Sequence, residues 1–98
     1  MSYVAISTVK YPESMKQAIH EVGLSMIPLA KAQPGFVSIR FHQSTESNET
    51  MMYWEWTCKA DHQACMASDD WRTIMAKSTP LFATPGVEFS LQTFDRLA

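Results

Sequence analysis

Residues 50–57 read TMMYWEWT, an alternation of side chains that predicts a β-strand. Met52, Trp54 and Trp56 would lie on one face of this strand, with Tyr53 and Glu55 on the other. The third tryptophan of the chain, at position 71, follows shortly afterwards. The clustering predicts either a thick aromatic layer of the core or the wall of a pocket for a flat, apolar ligand.

Three further strands are expected around this segment, at residues 3–9, 36–43 and 87–94. In the second of them Val37, Ile39 and Phe41 form the apolar set. With two helical regions between the strands, the order β-α-β-β-α-β predicts a ferredoxin-like α+β fold in one domain over residues 1–98. Such a chain forms a four-stranded antiparallel sheet with the helices on one face.

The first helical region is an apolar stripe of period three to four between residues 15 and 30. Glu13 or Ser14 is expected to cap it, and Pro28 to kink or restart its last turn. His20 falls on the side predicted to face solvent and receives no role.

The second helical region is expected in two pieces, at residues 59–67 and 70–77. Ser68 or Asp69 is the expected cap of the second piece. Thr79-Pro80 is expected to begin a loop that leads to the last strand.

The second face of the sheet has no helices left to cover it. Its expected members are polar or semi-polar, a composition common at interfaces: Ser38, Arg40, His42, Tyr53, Glu55, Glu88, Ser90 and Gln92. We therefore expect a homodimer in which two sheets pack face to face, since two-fold dimers are the commonest oligomers. The charged candidates for this interface are Arg40, His42, Glu55 and Glu88.

Composition and spacing exclude several classes of function. The net charge is −2 and the eight Lys and Arg residues are scattered, so a nucleic-acid partner is not expected. No apolar run is long enough for a membrane span and no signal peptide is recognisable, so the expected compartment is the cytoplasm. Cys58 and Cys65 match no metal or redox spacing and are expected to be free thiols. Three scattered histidines do not predict a metal site.

Motifs spread over nearly the whole chain resemble the antibiotic biosynthesis monooxygenase-like domains. They are Pro34-Gly35-Phe36-Val37, the strand ending in Trp56, Ala60, Ala64, Met66-Ala67-Ser68 and Trp71. The resemblance implies a ferredoxin-like chain that dimerises into an α+β barrel. Characterised members oxidise phenols, hydroquinones or polyketide aromatics with molecular oxygen and without metal or flavin. Others open haem, and many have no established activity.

Individual positions carry the resemblance unevenly. Trp56 matches a tryptophan that often closes the third strand, in or near the pocket. Cys65 stands where many members have a histidine and the haem-opening members a tryptophan. Met75 and Ser7 stand where the haem-opening members need a histidine and an asparagine, so haem degradation is not expected. Trp54 replaces an acidic residue that often lies two places before the strand tryptophan.

Oxygenation without a cofactor requires an apolar cavity, a base and hydrogen-bond donors for the developing oxyanion. The side chains expected to form the cavity are apolar or aromatic: Trp54, Trp71, Met52, Phe41, Cys65 and Phe82. The candidate catalytic residues are His62, Tyr53 and Trp56. His62 lies near a helix N-terminus, where a histidine tends to stay neutral, as a base must. For each of them a purely structural role in the core or on the surface is the alternative.

The expected function is oxidation of a small aromatic or quinone-like molecule by a homodimeric, cofactor-independent monooxygenase. The first alternative is a non-catalytic small-molecule-binding or stress-response dimer on the same scaffold. The second alternative is a structural dimer whose core is filled.

Overall fold

The fold is a single four-stranded antiparallel sheet that carries its helices on one face, and the computed structural model describes all residues from 1 to 98. The elements are β1 (Tyr3–Lys10), a 3-10 turn (Glu13–Met15), α1 (Lys16–Lys31), β2 (Phe36–Gln43), β3 (Glu49–Trp56), α2 (Lys59–Met66), α3 (Asp69–Phe82) and β4 (Glu88–Asp95). The strand order is β2-β3-β1-β4. The predicted ferredoxin-like α+β architecture is confirmed. None of the helices combines the length and apolar character that a bilayer crossing would require.

The register between β1 and β3 places the aromatic positions under the helices. Ala5 pairs with Trp54 and Ser7 with Met52, so these four side chains share one face of the sheet. Ala5 and Trp54 pack in the core together with Ala30 of α1 and Cys65 of α2. The apolar set predicted for residues 50–57 therefore faces the helices, as its alternation indicated.

A β-bulge at the start of β2 changes which of its residues reach the core. Phe36 pairs with Trp56 and Ser38 with Glu55, so two residues of β2 span one step of β3. Phe36 consequently packs on the helix side, and Val37 is 47% exposed. The prediction that Val37 lies on the core-facing side of β2 with Ile39 and Phe41 is wrong, because the bulge shifts the alternation by one residue.

Helix α1 is continuous through Pro28, so the predicted restart at that position is wrong. Proline leaves only the carbonyl of Leu24 without its helical donor. Leu24 is exposed, so water can take the donor's place. Neither Glu13 nor Ser14 caps the helix: the chain enters α1 from the 3-10 turn, and the residue at the cap, Met15, offers no side-chain acceptor.

Helix α3 is longer than predicted and includes Pro80, so the loop predicted from Thr79-Pro80 is wrong. In the turns around the proline, the hydroxyls of Ser78 and Thr79 donate to backbone carbonyls one turn earlier, both at 2.7 Å. The start of α3 follows the prediction, since the Ser68 hydroxyl accepts a hydrogen bond from the Trp71 amide at 3.2 Å. The additional turn carries Phe82 to β4, where its ring lies 5.6 Å from that of Phe89.

Candidate functional site

The three tryptophans and His62 form one aromatic cluster on the helix side of the sheet. The Trp54 ring is at its centre, 5.1 Å from Trp56, 5.2 Å from Trp71 and 5.4 Å from His62 between centroids. Strand β3 supplies two of these rings, α2 supplies the imidazole, and the first turn of α3 supplies Trp71. The cap at Ser68 fixes this first turn and so positions the Trp71 ring on Trp54.

The cluster combines both roles considered for the tryptophans. Trp56 is 0% exposed and packs edge-on against Phe36, so it is a core residue behind Trp54. Trp54 and Trp71 line a cleft between the sheet and the helices. Trp56 therefore lies outside the cleft wall, although the sequence analysis made all three tryptophans candidates for one site.

The cleft beside Trp54 contains about 490 Å³ of atom-free space, its open mouth included. We call it the Trp71 lobe. Its lining comes from all four strands and all three helices: Ser7, Met26, Ile39, Met52, Trp54, His62, Met66, Trp71, Met75, Phe82, Phe89 and Leu91. Ser7 and His62 are the only polar side chains among them. A ligand in this lobe would thus meet aromatic and thioether surfaces and one ionisable group.

A second cleft adjoins the first and contains about 350 Å³ of atom-free space, its open mouth included. We call it the Phe41 lobe. Ser7, Val9, Ile19, Val22, Gly23, Met26, Phe41, Thr50, Met52, Phe82 and Phe89 line it. The predicted pocket residues are thus divided. Met52 and Phe82 border both lobes, Trp54 and Trp71 border the first, and Phe41 borders the second.

His62 is buried, with 2% of its surface exposed, in the first turn of α2. The rings of Tyr3, Trp54 and Trp56 surround it at 5.4 to 5.8 Å. Removal from water lowers the pKa of His62 below its usual value, because the charged imidazolium is disfavoured there. The side chain is therefore neutral near pH 7. Burial is the cause, whereas the sequence argument relied on the helix N-terminus.

Three polar atoms of this cluster are buried without a hydrogen-bond partner: Nε1 of Trp54, Nε1 of Trp56 and Nδ1 of His62. Buried polar groups in native proteins are nearly always paired, and leaving one unpaired costs about 1–3 kcal/mol. The three rings are in mutual contact, so the unused hydrogen-bonding capacity is concentrated in one place. The two indole groups can only donate, whereas the unpaired imidazole nitrogen donates or accepts according to the tautomer of His62.

Tyr53 lies on the opposite face of the sheet from His62, so the structure does not bring these two candidates together. Its hydroxyl donates to Oε1 of Glu55 at 3.0 Å. Burial, and then the neighbouring carboxylate, raise the pKa of Tyr53. The Tyr53 hydroxyl therefore takes part in a polar contact on the open face of the sheet and does not reach either lobe.

Glu55 is buried and already has partners within the chain. Nη1 of Arg96 donates to both carboxylate oxygens, at 3.0 and 3.1 Å. Hydrogen bonds from Ser2, Tyr53 and Arg96 lower the pKa of Glu55 against the opposing effect of burial. Arg96, which lies beyond the last strand, was not among the sequence candidates, because nothing in the alternation of β4 points to it.

His20 lies behind the wall of the Phe41 lobe, where it contacts the Phe41 ring, and the sequence analysis gave it no role. Its Nε2 lies 2.6 Å from Oε1 of Gln43, and its ring meets Phe41 edge-on at 6.0 Å. The Phe41 ring packs directly on Gly23, where any Cβ would overlap it. A glycine inside a helical pattern was the available signal for such a close approach.

Cys65 packs in the core beside Trp54 and Trp56 and does not line either lobe. Burial raises its pKa to about 11, whereas Cys58 is exposed. No group of three or more His, Cys, Asp or Glu side chains is arranged to hold a metal ion.

The two thiols are expected to react differently with an alkylating reagent near neutral pH. Cys58 should be modified and Cys65 should stay free, because alkylation requires an accessible thiolate. Mass spectrometry of the folded protein should find one adduct, and the denatured protein should carry two. Equal labelling of both cysteines in the folded protein would contradict the buried position of Cys65.

Comparison with known proteins identifies relatives of this fold. The family model described as antibiotic biosynthesis monooxygenase matches residues 2–77. No curated protein matches the sequence significantly.

Among solved structures, a provisionally named antibiotic biosynthesis monooxygenase from Nitrosomonas europaea superposes with a TM-score of 0.83 at 16% identity, covering 98% of this chain and 90% of that one. A variant of SnoaB, a cofactor-independent oxygenase from Streptomyces nogalater, gives 0.83 at 11% identity, covering 99% and 94%. A Mycobacterium tuberculosis protein gives 0.79 at 15% identity over the full length of both chains. At these identities the structures show a common fold, and the family match over most of the sequence shows that the chain belongs to the antibiotic biosynthesis monooxygenase family.

Proposed function

We propose that the protein is a cofactor-independent monooxygenase that oxidises a small, flat aromatic or quinol with molecular oxygen in the Trp71 lobe. The observation that carries the proposal is His62, the one ionisable side chain of that lobe, kept neutral by burial in an aromatic wall. Family membership and the likeness in fold to a cofactor-independent oxygenase support it.

The lobe suits the binding step. Trp54 and Trp71 provide ring surfaces on which a flat ligand can stack, and apolar walls also accommodate molecular oxygen. Met26, Met66 and Met75 border the same space. Their flexible thioethers can adjust to the outline of a ring system and contact its edge.

His62 would accept the phenolic proton of the bound substrate. The resulting phenolate gives up an electron to oxygen more readily than the phenol does. The imidazolium and the phenolate arise together in an apolar site, so each stabilises the other where water cannot. A general base must be unprotonated at the working pH, and the lowered pKa of His62 favours this form.

The remaining steps need no external reductant. When the ring methylene of an anthrone-like substrate becomes a carbonyl, or a quinol becomes a hydroxyquinone, one oxygen atom enters the product and the other leaves as water, with the substrate supplying all four electrons. The unpaired indole N–H of Trp54 is buried in the wall of the lobe, and it would have to turn toward the substrate to stabilise negative charge that develops on oxygen during this conversion.

Oxygen uptake in chelator-treated buffer tests the proposal with quinols, anthrone-like aromatics and, for comparison, haem. We expect one oxygen molecule consumed for each molecule of an aromatic substrate, and quenching of tryptophan fluorescence on binding. Quenching without uptake across the whole panel would instead support the second candidate function, a non-catalytic binding or stress-response protein. The observation that favours this candidate is the lack of any second ionisable group in the lobe.

We further propose that the protein forms a homodimer through the open face of the sheet. Arg40, His42 and Glu88 are exposed on this face, beside the half-exposed apolar side chains of Met51 and Phe94. This arrangement of charged side chains around apolar ones is typical of protein interfaces. Glu55, the fourth charged candidate, binds Arg96 of its own chain and would contribute through that pair.

Reversing the charge of Arg40 is expected to weaken this dimer. Arg40→Glu places a carboxylate opposite Tyr53, beside the buried Glu55 and the face of the second copy. Sedimentation should show a higher dissociation constant for Arg40→Glu than for the unmodified protein. Arg72→Glu, the same exchange at an exposed position of α3, is the matched control and should leave association unchanged. An unaltered profile for Arg40→Glu would contradict the sheet-to-sheet interface.

A further inference from the structure

The two lobes lie side by side and share part of their lining. Five residues border both of them: Ser7, Met26, Met52, Phe82 and Phe89. Strands β1 and β3 form the floor at this junction, α1 and α3 the roof, and β4 the side. Phe82 and Phe89 meet at this junction, with 5.6 Å between their ring centroids.

The lobes differ in what they can bind. His62 and the aromatic wall belong to the Trp71 lobe only, so oxygen-bearing groups of a ligand find their partner there. The Phe41 lobe contains no ionisable side chain and is bordered by Val9, Ile19 and Val22. A hydrocarbon group would be favoured in this second lobe, whereas a charged or strongly polar group would lose its hydration without compensation.

The Phe41 ring forms a wall of the second lobe, and its position is fixed from two sides. On one side the ring packs on Gly23 of α1, which has no Cβ to displace it. On the other side it meets His20, whose own position is held by Gln43. Gln43 in turn accepts a hydrogen bond from Tyr11 and donates to the carbonyls of Ser44 and Ser47. This wall is therefore rigid enough to limit the length of a bound group.

We propose that the joined lobes form one elongated site for a phenol or quinol that carries a hydrocarbon tail. The aromatic head lies against Trp54, Trp71 and His62, and the tail passes the junction into the Phe41 lobe. This assignment rests on the proposed function for the position of the head. The Phe41 wall limits the tail length, and Val22, which borders the Phe41 lobe and not the Trp71 lobe, is a position at which the room for the tail can be changed.

Equilibrium binding of a series of n-alkyl hydroquinones tests the assignment, measured without oxygen by quenching of tryptophan fluorescence. Each added methylene should tighten binding by about three- to fourfold until the Phe41 lobe is full, after which the affinity should level off. Val22→Phe should make the affinity level off at a shorter tail. Val22→Ala should move this point to a longer tail, and it keeps the test decisive if the larger side chain prevents folding.

Val37→Phe is the matched control, since the same exchange at an exposed position of β2 should leave the series unchanged. Two results would overturn the elongated site and leave the proposed oxygenation standing. One is an affinity that does not depend on tail length. The other is an affinity that levels off at the same tail length in the Val22 variants and in the unmodified protein. The expected dependence on tail length without oxygen uptake would support the elongated site and contradict the oxygenation. Absence of binding by every member would overturn both.

Discussion

Replacing Trp56 with alanine is expected to lower the free energy of unfolding by about 3–5 kcal/mol. The Trp56 ring is fully buried and packs against Trp54, Phe36 and His62, so its removal leaves a cavity that none of these side chains can close without moving. Denaturant titration followed by circular dichroism measures the change. Since His62 loses one of its three neighbouring rings, the variant should also bind ligands more weakly.

Trp71→Ala separates the role of the core from the role of the cleft. The Trp71 ring is half-buried and lines the Trp71 lobe, so its loss should destabilise the protein less than the loss of Trp56. Trp71→Ala should weaken ligand binding at least as much as Trp56→Ala does, because one of the two stacking surfaces disappears. If the free energy of unfolding of Trp56→Ala lies within about 1 kcal/mol of that of the unmodified protein, the Trp56 ring is not a main part of the core.

His62→Gln is expected to reduce kcat for oxygenation by about 10²- to 10⁴-fold, the usual contribution of a general base. Glutamine keeps a polar side chain of similar length but cannot take up the substrate's proton. The affinity for the aromatic head should change much less than kcat, because the stacking surfaces of Trp54 and Trp71 remain. Oxygen uptake at saturating substrate measures the loss.

The pH profile adds an independent check on His62. Burial lowers the pKa of His62, so the active neutral form persists through neutral pH and is lost as the pH falls below the usual histidine value of about 6.5. Activity should therefore decline on the acid side in the unmodified protein. His62→Phe, which preserves the aromatic packing and lacks any basic nitrogen, should be as inactive as His62→Gln. Full turnover by either variant would exclude His62 as the base.

The sequence predicted the parts of the fold that depend on local pattern. Alternation in residues 50–57 was enough to place Met52, Trp54 and Trp56 under the helices. A serine before a helical segment was enough to predict the cap at Ser68. The same alternation separates Tyr53 from His62, since odd and even positions of β3 face opposite sides of the sheet.

Features that depend on contacts between distant segments could not be predicted in this way. The bulge that exposes Val37 is a matter of register between β2 and β3. The pairing of Glu55 with Arg96 joins residues 41 positions apart. Cys65 was expected in the pocket, but it packs in the core with Trp54 and Trp56 and lines neither lobe. The burial of His62 is likewise a tertiary effect, and it determines the protonation state of the site.

The bulge in β2 also bears on how the protein behaves at high concentration. Strand β2 is at one edge of the sheet, where a regular row of free amides and carbonyls would invite a strand from another molecule. Two residues of β2 opposite one of β3 interrupt this row at the Phe36 end. At the other edge, β4 begins with Glu88 and ends with Asp95, so an added strand meets a carboxylate at either end. Both edges thus oppose the growth of extended β-sheet aggregates.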